Sequence, residues 1–152
     1  MSQKNCPAKK LGRKGTSLQD SPFMVLTAVL ILIFTAALGV YMIKNFLETQ
    51  RHATAVDAAE KIYNAADLLA AGAGGSTRTI WVKVPNGYSI TLNGGVTLKE
   101  GDRVVGKSMN ITGVNIMGNG LPGGDSLPGR DDKYRLRLNN SGTGIIVSEI
   151  KE

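Results

Sequence analysis

The sequence predicts an α+β protein. A long N-terminal α-helix, with a transmembrane half and an amphipathic half, packs on a C-terminal antiparallel β head that is a meander or small sandwich. Three observations predict it. Phe23 to Ile43 (FMVLTAVLILIFTAALGVYMI) is 21 residues without a charge. Lys44 to Ala71 contains neither Pro nor Gly and is rich in Ala. Beyond Ser76 the composition turns to short alternating apolar–polar runs separated by Gly-, Asn- and Pro-containing turns.

The apolar run spans roughly 32 Å as a helix, against about 30 Å of bilayer hydrocarbon. It is apolar on every side, whereas a surface helix of a soluble domain keeps a polar face. Ser21 is a good N-cap and Pro22 a good first helical residue, so a regular helix is expected from Pro22. Past Lys44 the pattern becomes amphipathic. Val56, Ala59, Tyr63 and Ala66 recur at steps of three and four, with Ile62 and Leu69 widening the stripe. Asp57 and Lys61 form a favourable i, i+4 pair on the other face. His52, the only histidine, is read as solvated surface. Gly72 is expected to end the helix, and 72–77 to act as a hinge.

In the head, Ile80, Val82 and Val84 alternate with Thr79, Trp81 and Lys83, a half-buried strand ending at Pro85. Asn86-Gly87 and Asn93-Gly94-Gly95 signal tight turns. Strands are expected over Tyr88–Leu92, Val96–Lys99, Arg103–Lys107, Asn110–Met117, around Tyr134–Leu138 and over Ile145–Ile150. Six or seven short strands in this length give a meander or sandwich that needs the helix to complete its core. Gly118 to Arg130 (GNGLPGGDSLPGR) reads as an irregular exposed loop. Its Asp125, with Asp131 and Asp132, matches no cation-loop spacing.

Charge locates the leader. The formal net charge is +6, but Lys4, Lys9, Lys10, Arg13 and Lys14 precede the apolar run with no acidic residue among them. Without 1–15 the chain has 13 basic against 12 acidic side chains, so the basicity marks the cytoplasmic side of a membrane segment rather than nucleic-acid binding. The sole cysteine, Cys6, also lies in the leader, so the head holds together without a disulfide.

A basic stretch ending in Lys14-Gly15, then Thr16-Ser17-Leu18-Gln19-Asp20, then some twenty apolar residues, resembles the class III signal of type IV prepilins and their archaeal relatives. The resemblance covers residues 9–43. It implies cleavage between Gly15 and Thr16 by a prepilin peptidase at the cytoplasmic face, with the apolar helix retained. Asp20 becomes the fifth mature residue, and its carboxylate meets the new α-amine of Thr16 on a neighbouring subunit, setting register. Two departures stand out: Asp20 replaces the family's usual Glu, and Thr16 the usual Gln or aromatic residue. The stretch STRTIWVKVP (76–85) after an Ala-rich helix is similar to archaeal pilin-like proteins.

The implied organisation is a leader at 1–15, a helix at 16–71 with its assembly part at 22–43, a hinge at 72–77 and an extracytoplasmic β domain at 78–152. The implied protein inserts in the membrane, then joins an extracellular type IV pilus-like filament with other pilin subunits, its β heads on the cell surface. The alternative is an uncleaved, single-pass signal-anchored envelope protein whose β domain binds an outside ligand or partner. Asp20 then simply lies among headgroups at the positive end of the helix. Asn110-Ile111-Thr112 and Asn139-Asn140-Ser141 are glycosylation sequons, making Asn110 and Asn139 candidate glycan sites. One His and one leader Cys leave no nucleophile–base set, so no enzyme, cofactor, metal site or nucleic-acid partner is expected.

Overall fold

The computed structural model describes residues 22–106 and 108–151. Helix α1 runs Pro22–Ala70, 49 residues. The chain divides at Ile43 and Lys44 into two units. In the first, no described residue outside α1 covers it. In the second, α1 buries Ala55, Ala58, Ala59, Ile62, Ala65, Ala66 and Leu69 in the head's core. The buried stripe centres on Ala55, Ile62 and Leu69. Val56 and Tyr63, expected at its middle, lie partly buried along its flank. Alanine dominates the contact face, and such small side chains let the sheets come close to the helix backbone. Lys61 Nζ pairs with Asp57 Oδ2 at 2.6 Å on the exposed face. His52 departs from expectation: it is partly buried, with its ring centroid 6.0 Å from that of Tyr88.

Eight strands follow: β1 Thr77–Val82, β2 Tyr88–Leu92, β3 Val96–Glu100, β4 Arg103–Val104, β5 Asn115–Gly118, β6 Ser126–Pro128, β7 Tyr134–Asn140 and β8 Gly144–Glu149. They form two four-stranded sheets, ordered β1-β7-β8-β5 and β4-β3-β2-β6. Ile90, Leu92 and Val96 from one sheet, and Leu136, Leu138, Ile145 and Val147 from the other, are fully buried in one core with the helix stripe.

Most pairings are antiparallel, but β5 pairs with β8 in parallel, from Asn115 opposite Gly144 to Gly118 opposite Val147. Gly144 is required there, since a Cβ on it would stand 2.6 Å from the Asn115 carbonyl oxygen. The stretch 118–130 is not wholly irregular. Ser126–Pro128 pairs with β2, Leu127 is fully buried, and Pro128 sits on an edge strand, where a proline's missing N–H is tolerated. Two expected strands are shorter than their patterns. Gly106 takes φ +97° after Val104, and Gly113 takes φ +76° within a turn closed by Val114 N–H to Ile111 O.

Helix α1 ends at Ala70, just before Gly72 as expected. Gly72 does not take a positive φ. Instead Asn140, buried at the end of β7, donates from Nδ2 to Leu69 O at 2.7 Å. The segment anticipated as a hinge is fastened to the same residue: Gly75 N–H donates to Asn140 O, and Asn140 N–H to Ser76 O.

Candidate functional site

Two features carry functional weight, one in each unit. In the first unit, fifteen large apolar side chains from Phe23 to Ile43 stand 47–75% exposed on every side of α1. Thr27 Oγ1 donates to Phe23 O at 2.7 Å and Thr35 Oγ1 to Ile31 O at 2.9 Å. Both hydroxyls are thereby satisfied within the helix, as an apolar solvent requires. By length and composition this helix is able to cross a membrane. Among the described residues a Cβ added at Gly39 would meet nothing within 4 Å, so no contact among them explains this glycine. The predicted processing and register residues Gly15, Thr16 and Asp20 lie outside the described residues.

In the second unit a cleft of about 280 Å³ is lined by Trp81, Arg130, Lys133, Arg135, Glu149, Ile150 and Lys151. Its parts come from four places in the chain. Antiparallel pairing of β1 with β7 sets Trp81 opposite Arg135, with the guanidinium carbon 5.4 Å from the indole centroid. Ile150 N–H donates to Arg135 O at 2.8 Å, bringing in the end of the chain. Arg130 is anchored by its backbone N–H to Val84 O at 2.9 Å.

The arginines and lysines differ in their surroundings. Arg130 is committed: Nη2 meets Glu149 Oε1 at 2.9 Å and donates to Lys133 O at 3.0 Å, and the guanidinium lies 3.6 Å from the Tyr134 ring centroid. Glu149 is only 6% exposed, so its carboxylate is spent inside this pair. Tyr134 donates to Pro128 O at 2.6 Å. Burial holds its phenol above the ordinary tyrosine value, with Arg130 opposing and Glu149 adding to the rise. Among the described residues no carboxylate pairs with Lys133 or Lys151. Trp81 is 54% exposed. Among the described residues, four cations and one shielded carboxylate line the cleft, beside one exposed aromatic side chain.

Arg135 and Arg137 lie two residues apart on β7. The structure separates their settings: Arg135 faces Trp81 and the cleft, whereas Arg137 is paired across to Thr79 and Ser148. The alternation of β7 was visible, but the Trp81–Arg135 pairing depends on strand register, which no local signal gives.

The two sequon asparagines occupy unlike positions. Asn110 is exposed beside the turn at 111–114, its Oδ1 accepting from Ser108 Oγ at 3.3 Å. Asn139 is half-buried in β7, between β1 and β8, with its Oδ1 buried. The carboxylates of Asp125, Asp131 and Asp132 do not gather into a cation-binding group; Asp131 Oδ1 accepts from Asn86 Nδ2 at 2.9 Å.

No protein-family model matches the chain, and neither a curated protein nor a solved structure matches it.

Proposed function

We propose that this chain is a structural subunit of an extracellular type IV pilus-like filament, processed after Gly15 by a prepilin peptidase and assembled through its apolar helix with other pilin subunits. One observation carries the reading. A single continuous helix is buried under a β head from Ala55 to Leu69 and uncovered from Phe23 to Ile43. Leaving those fifteen side chains in water forfeits on the order of 15–25 kcal/mol, after allowing for the part of each already shielded. That exceeds the whole stability of an ordinary domain, about 5–15 kcal/mol. The helix therefore requires an apolar surrounding, first lipid and then the helices of neighbouring subunits.

Gly39 supports the second surrounding. A glycine within a helix costs roughly 1 kcal/mol relative to Ala. Here no contact among the described residues calls for it, while a small residue lets another helix approach closely. The test is Gly15→Val in cells producing the chain: the variant keeps its leader and is missing from filaments sheared from the surface. Filaments containing the uncut variant would contradict the proposal.

The cleft beside Trp81 favours a second reading, in which an uncleaved anchor holds a ligand-binding β domain at the envelope. The state of the Gly15–Thr16 bond separates the two.

A further inference from the structure

We propose that Asn119 is a modification site, deamidating spontaneously through a succinimide to aspartate and isoaspartate. An Asn-Gly pair is suited to this reaction, because glycine has no side chain to shield its peptide nitrogen from the asparagine amide. The chain holds three such pairs, Asn86-Gly87, Asn93-Gly94 and Asn119-Gly120. The fold sets them apart.

Two of the pairs are held away from reaction. Gly94 N–H donates to Ile116 O at 3.0 Å, and Asn93 is bridged to Met117. The nitrogen that must attack is therefore engaged. At Asn86 the leaving group is engaged instead, since Nδ2 donates to Asp131 Oδ1 at 2.9 Å. The turn around it is closed by Tyr88 N–H to Pro85 O at 3.1 Å and fastened by Gly101 N–H to Gly87 O at 3.0 Å.

Asn119-Gly120 carries none of these restraints. Both residues are exposed. Among the described residues, neither the Asn119 side chain nor Gly120 N–H has a hydrogen-bond partner. A Cβ added at Gly120 would meet none of them within 4 Å, so a ring has room to form. Gly120 takes φ +67°, which glycine adopts freely. The chain is anchored on either side, by Asn119 N–H to Val147 O at 2.8 Å and by the buried Leu121. The new carboxylate, and the longer isoaspartyl backbone, thus fall on an exposed link outside both sheets.

The reaction balances with water alone. Gly120 N loses its proton to solvent and bonds to Asn119 Cγ. The Cγ–Nδ2 bond breaks, and Nδ2 leaves as ammonia, taking a proton from water. A water molecule then opens the ring. Breaking the new N–Cγ bond gives aspartate; breaking the bond from Gly120 N to the main-chain carbonyl carbon of Asn119 gives isoaspartate, with the chain running through Cγ. Nothing is oxidised or reduced.

The inference does not depend on whether the helix polymerises, so it is tested on the full chain in detergent micelles. The folded chain is incubated in mildly alkaline buffer, and the three Asn-Gly peptides are followed by mass spectrometry for exchange of NH2 by OH. Enzymatic methylation of isoaspartate identifies the rearranged product. A parallel sample, its head unfolded in guanidinium chloride, gives the rate of each pair without its fold. In the folded chain Asn119 is expected to convert at least about fivefold faster than Asn86 or Asn93, the factor set by one hydrogen bond that must first break. In the unfolded sample the three rates converge. Asn119→Gln removes the product at that position and leaves the other two pairs unchanged. Conversion of Asn86 or Asn93 as fast as Asn119 in the folded chain would overturn the proposal. So would an unreacted Asn119 over the time in which the unfolded chain converts, or the same ranking kept after unfolding, since the fold would then not choose the site.

Discussion

Asn140 Nδ2 donates to the carbonyl oxygen of Leu69 at 2.7 Å, across 71 residues of sequence. The same amide group reaches Gly72 O at 3.4 Å, and its Oδ1 accepts from Gly142 N–H at 2.9 Å. One buried side chain thus closes the C-terminal end of α1, turns the chain after β7 and joins the two. The last turn of a helix leaves carbonyls without intrahelical partners, and a buried unpaired carbonyl is costly.

Asn140→Ala is therefore expected to lower the stability of the head by about 2–3 kcal/mol, leaving a buried carbonyl unmet. Asn140→Asp is expected to cost more, because it sets a carboxylate against the same carbonyl and loses the donor. Urea unfolding followed by circular dichroism checks both. Equal stability of the Ala variant and the wild type would contradict this role for Asn140.

This contact also marks where sequence reading stops. The helix was legible because its signals are local: no Pro or Gly from Phe23 to Ala71 apart from Gly39, a charge-free stretch, then a three–four spacing of apolar residues. Strand β2 was legible to its ends because Asn86-Gly87 and Asn93-Gly94 bracket it. Strand β6 was not, because Ser126–Pro128 becomes a strand only through pairing with β2 more than thirty residues earlier. The parallel β5–β8 pair and the helix cap from Asn140 fail to show for the same reason. The cleft was not legible: Trp81 was placed in its strand, but its meeting with Arg135 is a matter of register.

Gly144 tests that parallel pair. With a Cβ at 2.6 Å from Asn115 O, Gly144→Ala must shift β5 or β8, at a cost of about 1–3 kcal/mol. Gly39→Ala makes a contrast, since no described residue lies within 4 Å of a Cβ there. It is expected to leave the head's urea midpoint unchanged, and Gly39→Leu to do the same while lowering filament yield. Thermal and urea midpoints, with shear-fraction yields, separate these effects.

Alkaline stability follows from two tyrosines. Burial, and then Glu100, hold the Tyr88 phenol above its ordinary value; burial does the same at Tyr134. A phenol that keeps its proton in the folded state but loses it when unfolded contributes stability in full below about pH 10. That stability is lost as pH rises through the folded-state value. The head is expected to lose stability progressively above about pH 10. Tyr88→Phe and Tyr134→Phe should each flatten that decline. A decline as steep in both variants as in the wild type would contradict this origin.

The sequons are expected to differ in occupancy. Asn110 is exposed beside a turn, whereas Asn139 lies in a strand paired on both sides, its Oδ1 buried. In material from the cell surface, Asn110→Gln is expected to remove glycan mass and Asn139→Gln to leave it unchanged, as read by peptide mass spectrometry. Glycan on Asn139 alone would reverse this assignment.

The most direct measurement is the N-terminal residue and intact mass of the chain taken from its native membrane or from sheared filaments. A chain beginning at Thr16, lacking Cys6 and the five leader cations, is the result the filament proposal predicts. A chain still beginning at its basic leader, with Cys6 present and Gly15 joined to Thr16, would contradict it and leave the reading of an uncleaved, anchored β domain.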